Sequence, residues 1–191
     1  MASQKKVRVI IVTDGDVTAQ KAIKTAAHDL NLYPLMMSGG NPTPLTGEKI
    51  LELILKAPYD PVVVMADDKG FIGRGYGEQV IDFLMSRDEI QVLGVIAVAS
   101  DTKVYGVEVD CSINADGQVV RGPVNKYGYE EKAGNKRLEG DTVEVLKKYP
   151  EVFVVGCGDI GKNEDYDSVE YGAFITSRAL QEILERRTPF V

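Results

Sequence analysis

The chain predicts an α/β fold: a three-layer αβα sandwich around a mainly parallel, Rossmann-like central sheet, with a β-hairpin inserted. Three observations predict it. Short β-branched runs alternate with stretches whose apolar residues recur at helical spacing. The runs are apolar at successive positions rather than alternate ones, as in strands buried on both faces. Several of them stop at glycine and aspartate and lead straight into a helical pattern, as at the carboxyl edge of an open α/β sheet.

The first strand is Val7-Arg8-Val9-Ile10-Ile11-Val12, followed by Thr13-Asp14-Gly15-Asp16. Ala19, Ala22, Ile23, Ala26, Ala27 and Leu30 then give one apolar stripe of a helix, with Lys21, Lys24 and His28 on its polar side. Asp14 or Asp16 is placed to cap that helix. Leu32 to Met37 predicts a second short strand, and Ser38-Gly39-Gly40-Asn41-Pro42-Thr43-Pro44 a turn-rich loop. Thr46 caps a helix carrying Ile50, Leu51, Ile54 and Leu55, ended near Pro58.

Pro61 to Ala66 is the next buried strand and stops at Asp67-Asp68. A glycine-rich loop follows over Lys69 to Gly77, and Glu78 opens a helix with Val80, Ile81, Leu84 and Met85. Gln91 to Ser100 is another apolar strand. From Lys103 the period changes, and Asn114-Ala115-Asp116-Gly117 signals a hairpin that Gln118-Val119-Val120 completes. Gly122 to Gly140 reads as a loop or flap. Asp141-Thr142-Val143-Glu144 resembles a capping box for a helix to Tyr149. Glu151 to Val155 is the last strand, and a final helix starts near Ser168, with Ala173, Thr176, Ala179, Leu180, Ile183 and Leu184. The expected organisation is a single α/β domain over residues 1–191, with the hairpin and flexible loop at about 103–140 inserted in it.

Composition narrows the function classes. The chain has 191 residues, 44% hydrophobic and 27% charged, which suits one globular domain with a sizeable core. Its net charge of −7, from 22 basic and 29 acidic residues, argues against a nucleic-acid surface. No run approaches the ~18 apolar residues of a membrane span. Cys111 and Cys157 lack CxxC spacing, so the expected setting is reducing and cytoplasmic. With His28 as the single histidine on a polar helix face, triad chemistry lacks a base and Cys/His zinc sites are excluded by count.

Three stretches carry candidate chemistry. Asp14, Asp16, Asp67 and Asp68 end two strands and could supply hard oxygen ligands to Mg²⁺ or Ca²⁺; helix capping and turn formation explain the same acids without a metal. Gly73, Arg74, Gly75 and Gly77 could cradle an anion at a helix N-terminus, against a flexible loop that packs Tyr76 on the surface; the GK[ST] of a P-loop is missing. Gly156-Cys157-Gly158-Asp159-Ile160-Gly161 matches GxGxxG in form, but Lys162 to Asp167 intervenes before the only remaining helix, so a tight turn placing Asp159 at the ligand edge fits better.

Val12-Thr13-Asp14-Gly15-Asp16, Ser38-Gly39-Gly40-Asn41-Pro42, Asp60 to Asp68 and Leu93 to Ser100 together resemble the stage V sporulation protein AE family, in its soluble form. Gly140-Asp141-Thr142-Val143 and Val155 to Lys162 extend the likeness over about residues 7 to 187. The resemblance implies a protein of endospore-forming bacteria, encoded with proteins that move calcium dipicolinate during sporulation and germination. It implies an accessory of the forespore or spore, peripheral to the inner membrane through partners from the stage V sporulation A locus, and it carries over no functional residues. A weaker likeness, of Thr13-Asp14-Gly15-Asp16 after a buried strand, is to Toprim-like domains, which bind Mg²⁺ and handle phosphodiesters. Those domains also present a glutamate from an earlier strand, and no strand is predicted before Val7. The leading expectation is thus a non-catalytic sporulation and germination accessory acting by protein or ligand binding; the alternatives are a Mg²⁺-dependent phosphoryl-transfer or phosphodiester enzyme, and a small-ligand module lidded by residues 122–140. A homo-oligomer paired through the hairpin edge is a further expectation.

Overall fold

The structure, a computed structural model, describes residues 5–162 and 165–186. Residues 1–4, 163–164 and 187–191 lie outside the described residues. In chain order the elements are β1 (Val7–Val12), α1 (Val17–Asp29), β2 (Tyr33–Pro34), α2 (Gly47–Leu55), β3 (Val62–Met65), α3 (Tyr76–Met85) and β4 (Ile90–Val98). They continue with β5 (Val107–Glu108), β6 (Cys111–Ile113), β7 (Val119–Val120), β8 (Arg137–Leu138), β9 (Val154–Cys157) and α4 (Phe174–Glu185).

The central sheet has seven strands in the order β2-β3-β1-β4-β9-β6-β7, parallel except for the final β6–β7 pair. Successive side chains of each strand point to opposite faces, so each strand feeds two cores. Val9 and Ile11 of β1, Val62 and Val64 of β3, and Val95 and Ala97 of β4 pack under α2 and α3. Ile10 and Val12, Val63 and Met65, and Ile96 and Val98 pack under α1 and α4. This is the predicted αβα sandwich.

The strand cores follow the sequence closely, and the departures have local causes. Leu32 to Met37 forms only a two-residue strand, because Met36–Ser38 turns into a 3₁₀ helix in which the Ser38 hydroxyl donates to the Leu35 carbonyl. Tyr76, not Glu78, opens α3, and its side chain is exposed rather than packed. Glu144–Lys148 is a 3₁₀ helix without a capping side chain of its own, so the predicted capping box does not form. Asp141 instead accepts from the Gly70 N–H, and Thr142 Oγ1 accepts from the Asp68 N–H at 3.1 Å.

The hairpin forms at the expected Asn114–Gly117 turn, where Asn114 Oδ1 accepts from the N–H groups of Asp116 and Gln118. It does not stand off the fold: β6 pairs in parallel with β9 and carries the main sheet outward. Within the 122–140 segment Val124 and Leu138 are buried, and β8 pairs with β5 in a separate two-stranded sheet.

Candidate functional site at the carboxyl edge of the sheet

The carboxyl ends of β3, β1, β4 and β9 follow one another across the sheet, and those of β1, β3 and β9 bring Asp14, Asp16, Asp67 and Asp159 to one edge. β1 is central, with β3 on one flank and β4 on the other. The edge is knitted by hydroxyl groups whose positions the strand ends dictate. Thr13 Oγ1 accepts from the Val98 N–H at 2.9 Å, joining β1 to β4. Thr43 Oγ1 accepts from the Asp67 N–H at 2.7 Å and donates to the Asp67 carbonyl at 3.1 Å, docking the proline-rich loop on β3. Ser38 Oγ accepts from the Met65 N–H at 2.9 Å.

Asp14 is buried, and Oδ1 accepts from the Gly15 N–H at 2.7 Å. Asp67 Oδ2 accepts from the same N–H at 3.2 Å. Burial first, then the charges of Asp16 and Asp67, push the Asp14 carboxyl up to about 8. Burial also pushes Asp67 up to about 6, against the hydrogen bond from the Lys69 N–H. At neutral pH the Asp14 carboxyl therefore holds its proton, and the pair carries less than two negative charges.

Asp16 is the helix cap, its Oδ1 accepting from the Thr18 and Ala19 N–H groups at 2.8 Å each. Burial raises its pKa, but the Ala19 N–H, the Lys162 ammonium and the Thr18 N–H outweigh that and hold it below the usual range. Lys162 Nζ lies 3.0 Å from Asp16 Oδ2 and 3.3 Å from Asp159 Oδ2. The chain thus supplies a cation of its own to the acidic edge.

Asp68 turns away from this group. Its carboxylate reaches the N-terminus of α3, where Oδ1 accepts from the Gly77 N–H at 2.6 Å and Oδ2 from the Glu78 N–H at 3.2 Å. Glycine is needed at 77, because a Cβ there would stand 2.6 Å from the Asp67 nitrogen. At 75 a Cβ would fall on the Asp68 carboxylate itself. The N–H groups of Gly77 and Glu78 that an external anion would use are therefore engaged by Asp68. Arg74 sits on Asp82 at 2.8 Å, and Gly73 (φ +111) only makes the turn. Among the described residues, no three His, Cys, Asp or Glu side chains are grouped to hold a metal ion.

Capping by a carboxylate from elsewhere recurs. Asp167 is fully buried and accepts from the Thr176 N–H at 2.9 Å, the Thr176 hydroxyl at 2.7 Å and the Gly161 N–H at 2.8 Å, closing the start of α4. Glu78 Oε1 accepts from the Val145 N–H at 3.0 Å at the 3₁₀ helix. Cys157 is buried, and burial pushes its thiol far up, which suits a small core residue. His28 is exposed.

Lys162, Asp141, Thr43 and Thr142 complete the edge; the sequence marks Asp141 and Thr142 as a capping box, not as site residues, and gives Thr43 and Lys162 no site role. The signal for Lys162 was visible: a lone base four residues after the glycine that follows a buried strand. Asp141 and Thr142 carry a helix-cap signal that points to the wrong partners, since they meet Gly70 and Asp68 only through folding.

The fold and edge define an α/β sandwich whose acidic strand ends are partly offset from within, by a proton on Asp14 and by Lys162. The chain belongs to the stage V sporulation protein AE family: the family described as Stage V sporulation protein AE1 matches residues 8–187, and it makes this a sporulation-related protein. No curated protein and no solved structure matches the chain. Among the described residues no helix is long and apolar enough to cross a membrane.

Proposed function

We propose that the protein is a non-catalytic accessory of sporulation and germination, bound to other proteins of the stage V sporulation A locus and serving the calcium dipicolinate system at the spore inner membrane. The observation that carries this reading is the family match over nearly the whole chain, residues 8–187. The state of the acids supports a binding rather than a catalytic role. Asp16, Asp68 and Asp167 hold helix ends, and Asp14 and Asp67 share one backbone donor. What the edge offers outward is the loop before α3 and the first residue of that helix, where Phe71, Ile72 and Tyr76 are each exposed. Adjacent exposed apolar side chains of this size are a feature of contact surfaces.

The test is affinity capture of the tagged full chain from cells that co-express the other proteins of the locus. At least one of them is expected to be retained, and Phe71→Ser with Ile72→Ser to reduce its recovery. Recovery of none overturns the proposal. Mg²⁺-dependent turnover of a phosphodiester, lost on changing Asp14 and Asp16 to Asn, would replace it with an enzymatic reading.

A further inference from the structure

Away from the acidic edge, the Tyr105 ring is approached by two cations. The Arg137 guanidinium lies 3.8 Å from the ring centroid and the Lys147 ammonium 4.8 Å from it. Gly106 fixes this arrangement: it has φ +76, and a Cβ there would stand 2.4 Å from the Leu138 carbonyl oxygen, so β5 and β8 are drawn close and Tyr105 is set beside Arg137. The three side chains rim a cleft of about 330 Å³ between the two-stranded sheet and the 144–148 helix. Its lining is mixed: Val107, Leu146 and Val154, all buried, supply apolar surface, and Glu108, Asp110 and Tyr149 add polar groups.

The charges around the cleft are unequal in their commitments. Asp110 is engaged, accepting from the Val154 N–H at 2.8 Å and facing Arg186 at 3.3 Å. Lys147 pairs with Glu144 at 2.7 Å. Arg137 meets Glu108 only at 3.8 Å, beyond hydrogen-bond reach, although its side chain is just 38% exposed. A guanidinium has five N–H donors in a fixed fork matched to the paired oxygens of a carboxylate or phosphate. Here one of its faces is stacked on an aromatic ring, which orients the fork.

We propose that this cleft binds a small organic anion, whose carboxylate or phosphate meets Arg137 with Lys147 nearby and whose apolar body rests on Val107, Leu146 and Val154. A concave volume near the lower limit for small-molecule sites, in which buried aliphatic side chains meet a few charged groups, is a form such sites take. A guanidinium stacked on tyrosine supplies both charge and direction. The proposal is independent of the acidic edge and of the partner reading above.

The test uses the full chain labelled with ¹⁵N, titrated with benzoate and with phenyl phosphate, and with benzyl alcohol as the neutral analogue. Saturable shifts are expected at the amides of Val107, Leu146 and Val154 with at least one of the two anions and not with the alcohol; which anion saturates first tells carboxylate from phosphate. Arg137→Gln should weaken binding about tenfold or more, and Arg137→Lys less, because the charge remains but the fork is lost. Should Arg137→Gln disturb the β5–β8 pair, Lys147→Gln gives the second measurement, since that side chain is exposed. Shifts that never saturate, equal shifts with benzyl alcohol, or folded variants that bind as the parent does would overturn the proposal.

Discussion

Asp14 and Asp67, at the ends of neighbouring parallel strands, accept from one and the same backbone N–H, that of Gly15, at 2.7 and 3.2 Å. Beyond this shared donor the pair has, among the described residues, only the Asp16 N–H, on Asp14 at 3.3 Å, and the Lys69 N–H, on Asp67 at 2.8 Å, and burial leaves the two carboxyl groups short of positive charge. The Asp14 proton relieves the shortage, and the fold is consequently coupled to pH.

The sign of that coupling follows from the raised values. Burial raises Asp14 to about 8 and Asp67 to about 6 in the folded chain, from the 3.8 of an ordinary aspartate carboxyl in the unfolded one. The folded state binds more protons in this window, so these two groups contribute stability that is fully present below about pH 4. It is lost as pH rises through about 6 and then about 8. Urea denaturation between pH 5 and pH 9 should show this decline in the parent. In Asp14→Asn, which keeps a neutral acceptor for the Gly15 N–H, the decline should be smaller, and the variant should be more stable than the parent at pH 9 by on the order of 2 kcal/mol.

The opposite edge of the sheet behaves in the opposite sense. Asp60 holds Arg8 in a fork, accepting from the Arg8 guanidinium at 2.8 and 3.1 Å and from its backbone N–H at 3.0 Å. The side-chain hydrogen bonds with Arg8 pull the Asp60 carboxyl down to about 2. Its contribution is therefore present above about pH 4 and lost as pH falls toward 2. Asp60→Ala should cost about 1–3 kcal/mol at pH 7, measured by urea denaturation, with the difference shrinking in acid.

Gly77→Ala is expected to be costly although it lies in the first turn of a helix, where alanine would ordinarily help. The new methyl would stand 2.6 Å from the Asp67 nitrogen and 2.8 Å from its carbonyl carbon, both backbone atoms that cannot swing aside. A loss of about 1–3 kcal/mol is expected from such overpacking. A melting temperature at or above the parent's would show that α3 can shift away from β3.

Removing the carboxylates that cap helices from a distance should loosen one helix at a time. Asp68→Ala leaves the Gly77 and Glu78 N–H groups without their acceptor, and Asp167→Ala does the same to Thr176 and Gly161. Each should cost about 1–3 kcal/mol. Asp167→Ala should be the worse of the two, since its site is fully buried and water cannot replace the lost oxygens. Hydrogen exchange is expected to quicken at the start of α3 in the first variant and at the start of α4 in the second.

By itself the sequence determined the layers. Strands such as Val62–Met65 are legible as short unbroken apolar runs, and helices such as Val17–Asp29 by apolar residues recurring at helical spacing; both patterns are properties of neighbours along the chain. It also marked the acid-bearing strand ends and the Asn114–Gly117 turn. Only the tertiary structure decided what those acids do. Asp14 and Asp16 are two residues apart, yet one is buried beside Asp67 and held neutral, while the other caps α1 and pairs with Lys162, 146 positions along the chain. Asp67 and Asp68 are adjacent, and their side chains serve opposite faces of the sheet edge, one meeting Gly15 and the other α3. Burial, and which backbone N–H groups come within reach of a carboxylate, depend on contacts between segments far apart in the chain. No local pattern encodes them.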